Sequence, residues 1–142
     1  MTHPLYTWGY QSRSIEELLV IVRAHPVICV ADVRRTPYSR HQPEFCEHEL
    51  RRVFGGYYRH AWMLGNQHRT LPWKRGPEWE RDVKGAAAQL GDCPVLLLCL
   101  ERDPERCHRS EVAHEIRGLC GCEVTHLGGP EPTQPVKQMS LF

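Results

Sequence analysis

The sequence predicts an α/β fold: a single-domain, three-layer arrangement in which helices cover both faces of a mostly parallel sheet of about five strands. Three observations carry that expectation. Short apolar runs alternate along the chain with stretches of helical periodicity. Two of those runs, Val27 to Val33 and Pro94 to Leu100, are almost continuously apolar, as suits strands buried on both faces of a parallel sheet. The length, 142 residues, matches one ordinary domain.

Each element has a local signal. Leu5-Tyr6-Thr7-Trp8 reads as the first strand. Ser14-Ile15-Glu16-Glu17 is a capping box that opens a helix, with Ile15, Leu18, Leu19 and Val22 on its apolar face and Pro26 at its end. Val27 to Val33 is the second strand, closing near Asp32. Arg34 to Phe45 carries two prolines and reads as a long loop, followed by a helix from Glu47 to Phe54 that stops at Gly55-Gly56. Tyr57 to Trp62 is the third strand and Leu64 to Gly76 a second long loop. A helix from Pro77 to about Leu90 has proline at a first-turn position. Pro94 to Leu100, a turn over 101–106, a helix from about Cys107 to Leu119 and a strand at Glu123–Leu127 complete a domain spanning 1–127. Residues 128–142 are rich in Pro and Gly and read as a flexible tail.

Composition limits function. Eighteen Lys and Arg against 17 Asp and Glu leave a formal charge of +1, which excludes a polybasic DNA-coating protein but not a local basic patch. Fifteen of the 18 cations are Arg, which fits both phosphate recognition and a GC-rich coding bias. Seven cysteines, with no signal-peptide pattern before them, point to free thiols in a reducing cytoplasm. No stretch is long and apolar enough to span a bilayer, so no membrane is expected. Cys120-Gly121-Cys122 lacks the paired spacing of a zinc site, and neither metal nor other cofactor is expected.

Ligands of open parallel sheets sit beyond the carboxyl ends of the strands. The polar loops there gather candidate residues on one rim. Cys107, at an expected helix start between Arg106 and Arg109, suits a stabilised thiolate, and His108 beside it a proton shuttle. Asp32 and Glu101, each after an apolar strand, are candidate acids or bases, although Asp32 reads equally as half of a structural ion pair with Arg34 or Arg109. Arg34, Arg35, Ser39, Arg40, Asn66 and Arg109 are the expected phosphate or nucleic-acid contacts. Tyr38 and the cluster Arg69, Trp73, Lys74 and Arg75 mix cations with rings in the way a stacked base requires.

Read together, Tyr6-Thr7-Trp8-Gly9-Tyr10, Asp32-Val33-Arg34, Pro37-Tyr38-Ser39-Arg40, Phe45, Leu64-Gly65-Asn66, Cys99-x-Glu101 and Cys107-His108-Arg109 resemble the family called domain of unknown function 488. The resemblance runs from about Tyr6 to Leu127, and Trp8 stands where that family usually has a smaller aliphatic residue. It implies a compact α/β domain and supplies no reaction. The last five residues, Gln138-Met139-Ser140-Leu141-Phe142, resemble the peptide by which bacterial DNA-processing proteins dock on the replication sliding clamp, with Gln138, Leu141 and Phe142 as anchors. Such docking would raise the local concentration of a nearly neutral protein on DNA.

The combined expectation is a DNA repair or maintenance enzyme, recruited by the sliding clamp, that acts on a nucleobase or nucleotide in DNA. Two chemistries are open, a glycosidase-like hydrolysis or a Cys-dependent transfer. Cys107-His108-Arg109 is similar over three residues to the acceptor-cysteine motif of alkylguanine repair proteins, without its flanking Pro and Val. The alternatives are a small-molecule sulfur- or phosphate-transfer enzyme with a rhodanese-like anion loop, and a non-catalytic nucleic-acid or nucleotide-binding module.

Overall fold

The computed structural model describes residues 2–27, 29–68 and 70–128. Ile28, Arg69 and the docking-like residues Gln138, Leu141 and Phe142 lie outside the described residues. The described chain runs β1 (Leu5–Gly9), α1 (Ile15–Ala24), β2 (Cys29–Asp32), α2 (Glu47–Phe54), β3 (Tyr58–His60), α3 (Trp79–Gln89), β4 (Val95–Cys99), α4 (Arg109–Cys120) and β5 (Val124–His126), with short 3-10 turns between. The five strands form one all-parallel sheet in the order β3-β2-β4-β1-β5.

Alternation along each strand divides the core into two layers. Leu5, Val95, Leu97 and Cys99 face α3 and α4, where they meet Val83, Ala86, Leu90, Val112 and Ile116. Tyr6, Trp8, Leu96 and Leu98 face the other way, onto Leu18 of α1, Leu50 of α2 and Phe45. The central strands β1 and β4 are therefore buried at every position, which is why their sequences carry almost no polar residue. The edge strands β3 and β5 are only three residues long and partly polar, a form that discourages pairing with another chain.

The start of α1 follows its capping box: Glu17 N–H donates to Ser14 Oγ at 3.2 Å and Ser14 N–H to Glu17 Oε1 at 3.1 Å. Helix α2 keeps its expected bounds because Gly55, at φ 57°, takes the conformation that ends it. Other boundaries differ from expectation. Strands β2 and β3 are shorter than their apolar runs, since Ala61 N–H donates to Asp32 O and Trp62–Leu64 then turns. Pro77 precedes the cap of α3, Glu78, rather than standing in its first turn. Helix α4 begins at Arg109 with His108 as its cap, so Cys107 lies outside the helix. No helix among the described residues is long and apolar enough to cross a membrane.

Candidate functional site

Parallel pairing brings four strand ends to one edge. Gly9 of β1 lies opposite Cys99 of β4, and Asp32 of β2 lies opposite both Leu98 of β4 and His60 of β3. The chain leaves β1 and β2 toward the α1 and α2 face, but leaves β4 toward α4. Loops that part to opposite faces open a crevice at the carboxyl edge of a sheet. Here it is an open cleft of about 1270 Å³ whose walls include Tyr10, Arg35, Tyr38, Arg40, Glu101 and His108.

Asp32 is completely buried, and four groups donate to its carboxylate. Arg34 contributes its backbone N–H at 3.1 Å, Nε at 2.8 Å and Nη2 at 2.6 Å, and Tyr58 its hydroxyl at 2.5 Å. Arg34 also donates to Phe45 O at 2.7 Å and Tyr10 Oη at 3.2 Å. Burial alone would lower the guanidinium pKa, but the Asp32 carboxylate outweighs it and holds Arg34 above its ordinary value. Burial and the same carboxylate push Tyr58 upward, so its phenol stays protonated and donates. Asp32, expected as an acid or base or as half of an ion pair, and Arg34, expected as a phosphate contact, meet in this buried ion pair, and Arg34 also lines the cleft. Each spends its polar atoms on the other and on the loop that ends at Phe45.

Arg109, expected as a phosphate contact, also turns inward. It is 0% exposed and its guanidinium donates to Thr7 Oγ1 at 3.0 Å, to Glu101 O at 2.5 Å and to Arg102 O at 3.1 Å. It therefore anchors the turn after β4. Gly9 makes this possible, because a Cβ there would overlap the Glu101 carbonyl and stand 2.9 Å from Arg109 Nη1.

Cys107, expected as a thiolate at a helix start, stands before the helix instead. Cys107 closes the 3-10 turn Pro104–Arg106 with its N–H on Pro104 O, and its side chain is 1% exposed. The neighbouring Cys99 thiol and burial push the Cys107 thiol well above its ordinary range. His108 shares the pocket: Nε2 donates to Val33 O at 2.8 Å, and Nδ1 lies 3.9 Å from Cys99 Sγ. The ligand atoms of Cys99, Cys107 and His108 all fall within 4.8 Å of one another.

Other expected contacts divide into used and available groups. Ser39 is buried and its hydroxyl accepts from Gln42 N–H. Asn66 Oδ1 accepts from His68 N–H and Lys74 N–H, so it folds its own loop while its edge lines the cleft. Trp73 is buried, with Nε1 donating to Gly65 O, and Arg75 lies over its ring and pairs with Glu115, so neither is a free stacking platform. Arg35 and Arg40 are exposed on the cleft wall, and among the described residues neither is paired with a carboxylate. Tyr38, Leu71 and Leu100 add exposed apolar surface to the same cleft. Glu101 lies half-buried there, with a carboxylate that has no hydrogen-bond partner among the described residues.

The model of the family described as "Domain of unknown function DUF488" matches residues 14–85, just over half of the chain. The chain belongs to this family. The match runs from the cap of α1 into the middle of α3, including the Asp32–Arg34 pair and the Arg35–Arg40 wall. No curated protein and no solved structure matches the chain. Sequence reasoning missed Tyr10, Gln42 and Cys99 as parts of this DUF488 rim. Gln42 Nε2 donates to Tyr10 O and Arg13 O, a join no local motif announces. Cys99 had a signal in the short step from Cys99 to Glu101.

Proposed function

We propose that the chain is a DNA-maintenance enzyme that holds a nucleotide or nucleobase of DNA in the cleft at the carboxyl edge of its sheet. The observation that carries this reading is the meeting, in one cleft, of Arg35 and Arg40, which pair with no carboxylate among the described residues, with the exposed ring of Tyr38 and a Glu101 carboxylate that has no hydrogen-bond partner among the described residues. Arg35 and Arg40 meet phosphates, Tyr38 stacks on a base, and Glu101 moves a proton. Of the two chemistries, hydrolysis assisted by Glu101 fits better than attack by Cys107, whose thiol is buried and pushed above its ordinary range by Cys99 and by burial. All seven cysteines are free thiols, which fits a reducing cytoplasm. Gln138, Leu141 and Phe142 recruit the chain to the bacterial sliding clamp, a role proposed on sequence alone.

The test is fluorescence anisotropy and product analysis on labelled single-stranded, duplex and damaged-duplex oligonucleotides. Wild type binds, the Arg35→Ala/Arg40→Ala double variant binds at least about tenfold more weakly at low salt, and Glu101→Gln binds but leaves its oligonucleotide unprocessed. Absence of oligonucleotide binding by wild type defeats the reading. Binding without any processing favours the non-catalytic module instead. For recruitment, a pull-down of sliding clamp is lost on Gln138→Ala/Leu141→Ala/Phe142→Ala, and clamp retained by that variant defeats the tether.

A further inference from the structure

We propose that Cys99, Cys107 and His108 form a zinc site with three protein ligands and a fourth position open to the cleft. The three residues come from three local structures. Cys99 is the last residue of β4, Cys107 ends a 3-10 turn, and His108 caps α4. The turn between them folds the chain back so that two thiol sulfurs and one imidazole nitrogen all lie within 4.8 Å of one another.

The donor set and its geometry suit zinc. Zinc takes thiolate at about 2.3 Å and imidazole at about 2.0–2.1 Å, so tetrahedral ligands stand about 3.6 Å apart for sulfur and nitrogen. Cys99 Sγ and His108 Nδ1 are 3.9 Å apart, within a few tenths of an ångström of that spacing. Two thiolates balance the charge of one Zn²⁺, so the loaded cluster adds no net charge to a buried place. Binding releases the two thiol protons to solvent and forms two Zn–S bonds and one Zn–N bond, with no change of oxidation state.

The imidazole is already oriented. His108 Nε2–H donates to Val33 O at 2.8 Å, which leaves Nδ1 as the lone pair facing the sulfurs. A ligating histidine held by its other nitrogen on a carbonyl is the usual support of a zinc site. All three side chains are at least nine-tenths buried, at 4%, 1% and 6% exposure. Cys99 and His108 nevertheless line the cleft, as does Glu101. The uncoordinated side of the metal therefore faces the cleft, where a water or a ligand atom completes the tetrahedron in the same cleft that Glu101 lines.

This assignment is independent of the DNA reading, because it is tested on the full chain without oligonucleotide. Metal content and competition against a chromophoric chelator should give one zinc per chain, and Co²⁺ substitution should give a thiolate-to-metal charge-transfer band. Cys99→Ser, Cys107→Ser and His108→Gln should each weaken zinc at least about tenfold, while Cys120→Ser and Cys122→Ser leave it unchanged. If Cys107→Ser fails to fold, His108→Cys keeps the test open: it should retain Co²⁺ and intensify the thiolate band. Absence of that band from the wild type, zinc binding that survives Cys107→Ser, or preferential binding of Cu(I) overturns the assignment.

Discussion

Asp32 and Arg34 stand two residues apart and close a two-pronged ion pair inside the protein, Nε to Oδ1 at 2.8 Å and Nη2 to Oδ2 at 2.6 Å. The intervening Val33 points its side chain into the core between the sheet and α3–α4, while its carbonyl accepts from His108. Three consecutive residues thus tie the end of β2 to the loop before α2 and to the cap of α4. The pair is a joint of the rim, and the cleft wall that carries Arg35 and Arg40 hangs from it.

Asp32→Asn should therefore cost stability rather than a proton-transfer step. It leaves the Arg34 guanidinium buried without its carboxylate, which costs about 3–5 kcal/mol. Urea unfolding read by circular dichroism measures this directly. Tyr58→Phe removes only the hydroxyl donor to the same carboxylate and should cost about 1.5–3 kcal/mol. An Asp32→Asn variant of wild-type stability would return Asp32 to the list of catalytic bases.

Gly9→Ala should be as damaging as a core deletion although it adds one methyl group. Its Cβ overlaps the Glu101 carbonyl that accepts from Arg109, so β1 and the turn after β4 must part. Overpacking of this kind costs about 3 kcal/mol when backbone must move. Gly85→Ala, on α3 with open space around its Cβ, is the control and should be neutral or slightly stabilising. A Gly9→Ala protein that melts with wild type would show that the turn is not held against β1.

His126 gives the fold a mild acid sensitivity. Arg109 Nε donates to Thr7 Oγ1, so the Thr7 hydroxyl proton is free to donate to His126 Nδ1 at 2.6 Å. Partial desolvation and the Arg109 charge hold His126 below its ordinary value. In the unfolded chain the imidazole titrates near about 6.5. As pH falls through that value the unfolded state takes up a proton that the folded state refuses, so stability falls. The loss levels off once pH passes below the folded-state pKa. NMR titration of the ring protons should place the folded midpoint below that of free histidine, and His126→Gln should flatten the acid side of the stability profile. A midpoint above that of free histidine would remove Arg109 as the cause.

The sheet was legible because its strands obey local rules. The capping box at Ser14, the Gly55 stop and the unbroken apolar run ending at Cys99 each announce an element without help from the rest of the chain. The Asp32–Arg34 pair was also foreseeable, since a carboxylate ending a buried strand demands a cation and Arg34 is within reach. What local rules could not give was the direction in which loop side chains point. Arg109 looks like a surface cation, and only the close passage of Gly9 past Glu101 turns it inward. Cys107 reads as a helix N-terminal thiol because it stands at an expected helix start between Arg106 and Arg109. The helix starts two residues later and the thiol faces Cys99 instead. Cysteine spacing drew attention to Cys120 and Cys122, whereas the cluster that forms joins residues eight apart across a turn.

Thiol reactivity separates these two views of Cys107. Cys29, Cys93 and Cys120 are partly exposed, whereas Cys46, Cys99, Cys107 and Cys122 are buried. Burial and the nearby Cys29 thiol push Cys93 up to about 11, and burial and Cys120 push Cys122 up to about 11. Alkylation at pH 7 followed by mass mapping should thus label Cys29 and Cys120 first, Cys93 faster as pH rises, and Cys107 only on the timescale of unfolding. Added zinc should leave the exposed set unchanged and slow Cys99 and Cys107 further, because metal-held sulfur is a poorer nucleophile and the bound site opens less often. Rapid labelling of Cys107 at pH 7, ahead of Cys29, would mean that the native site holds an accessible thiolate and would restore Cys-dependent transfer as the chemistry of the cleft.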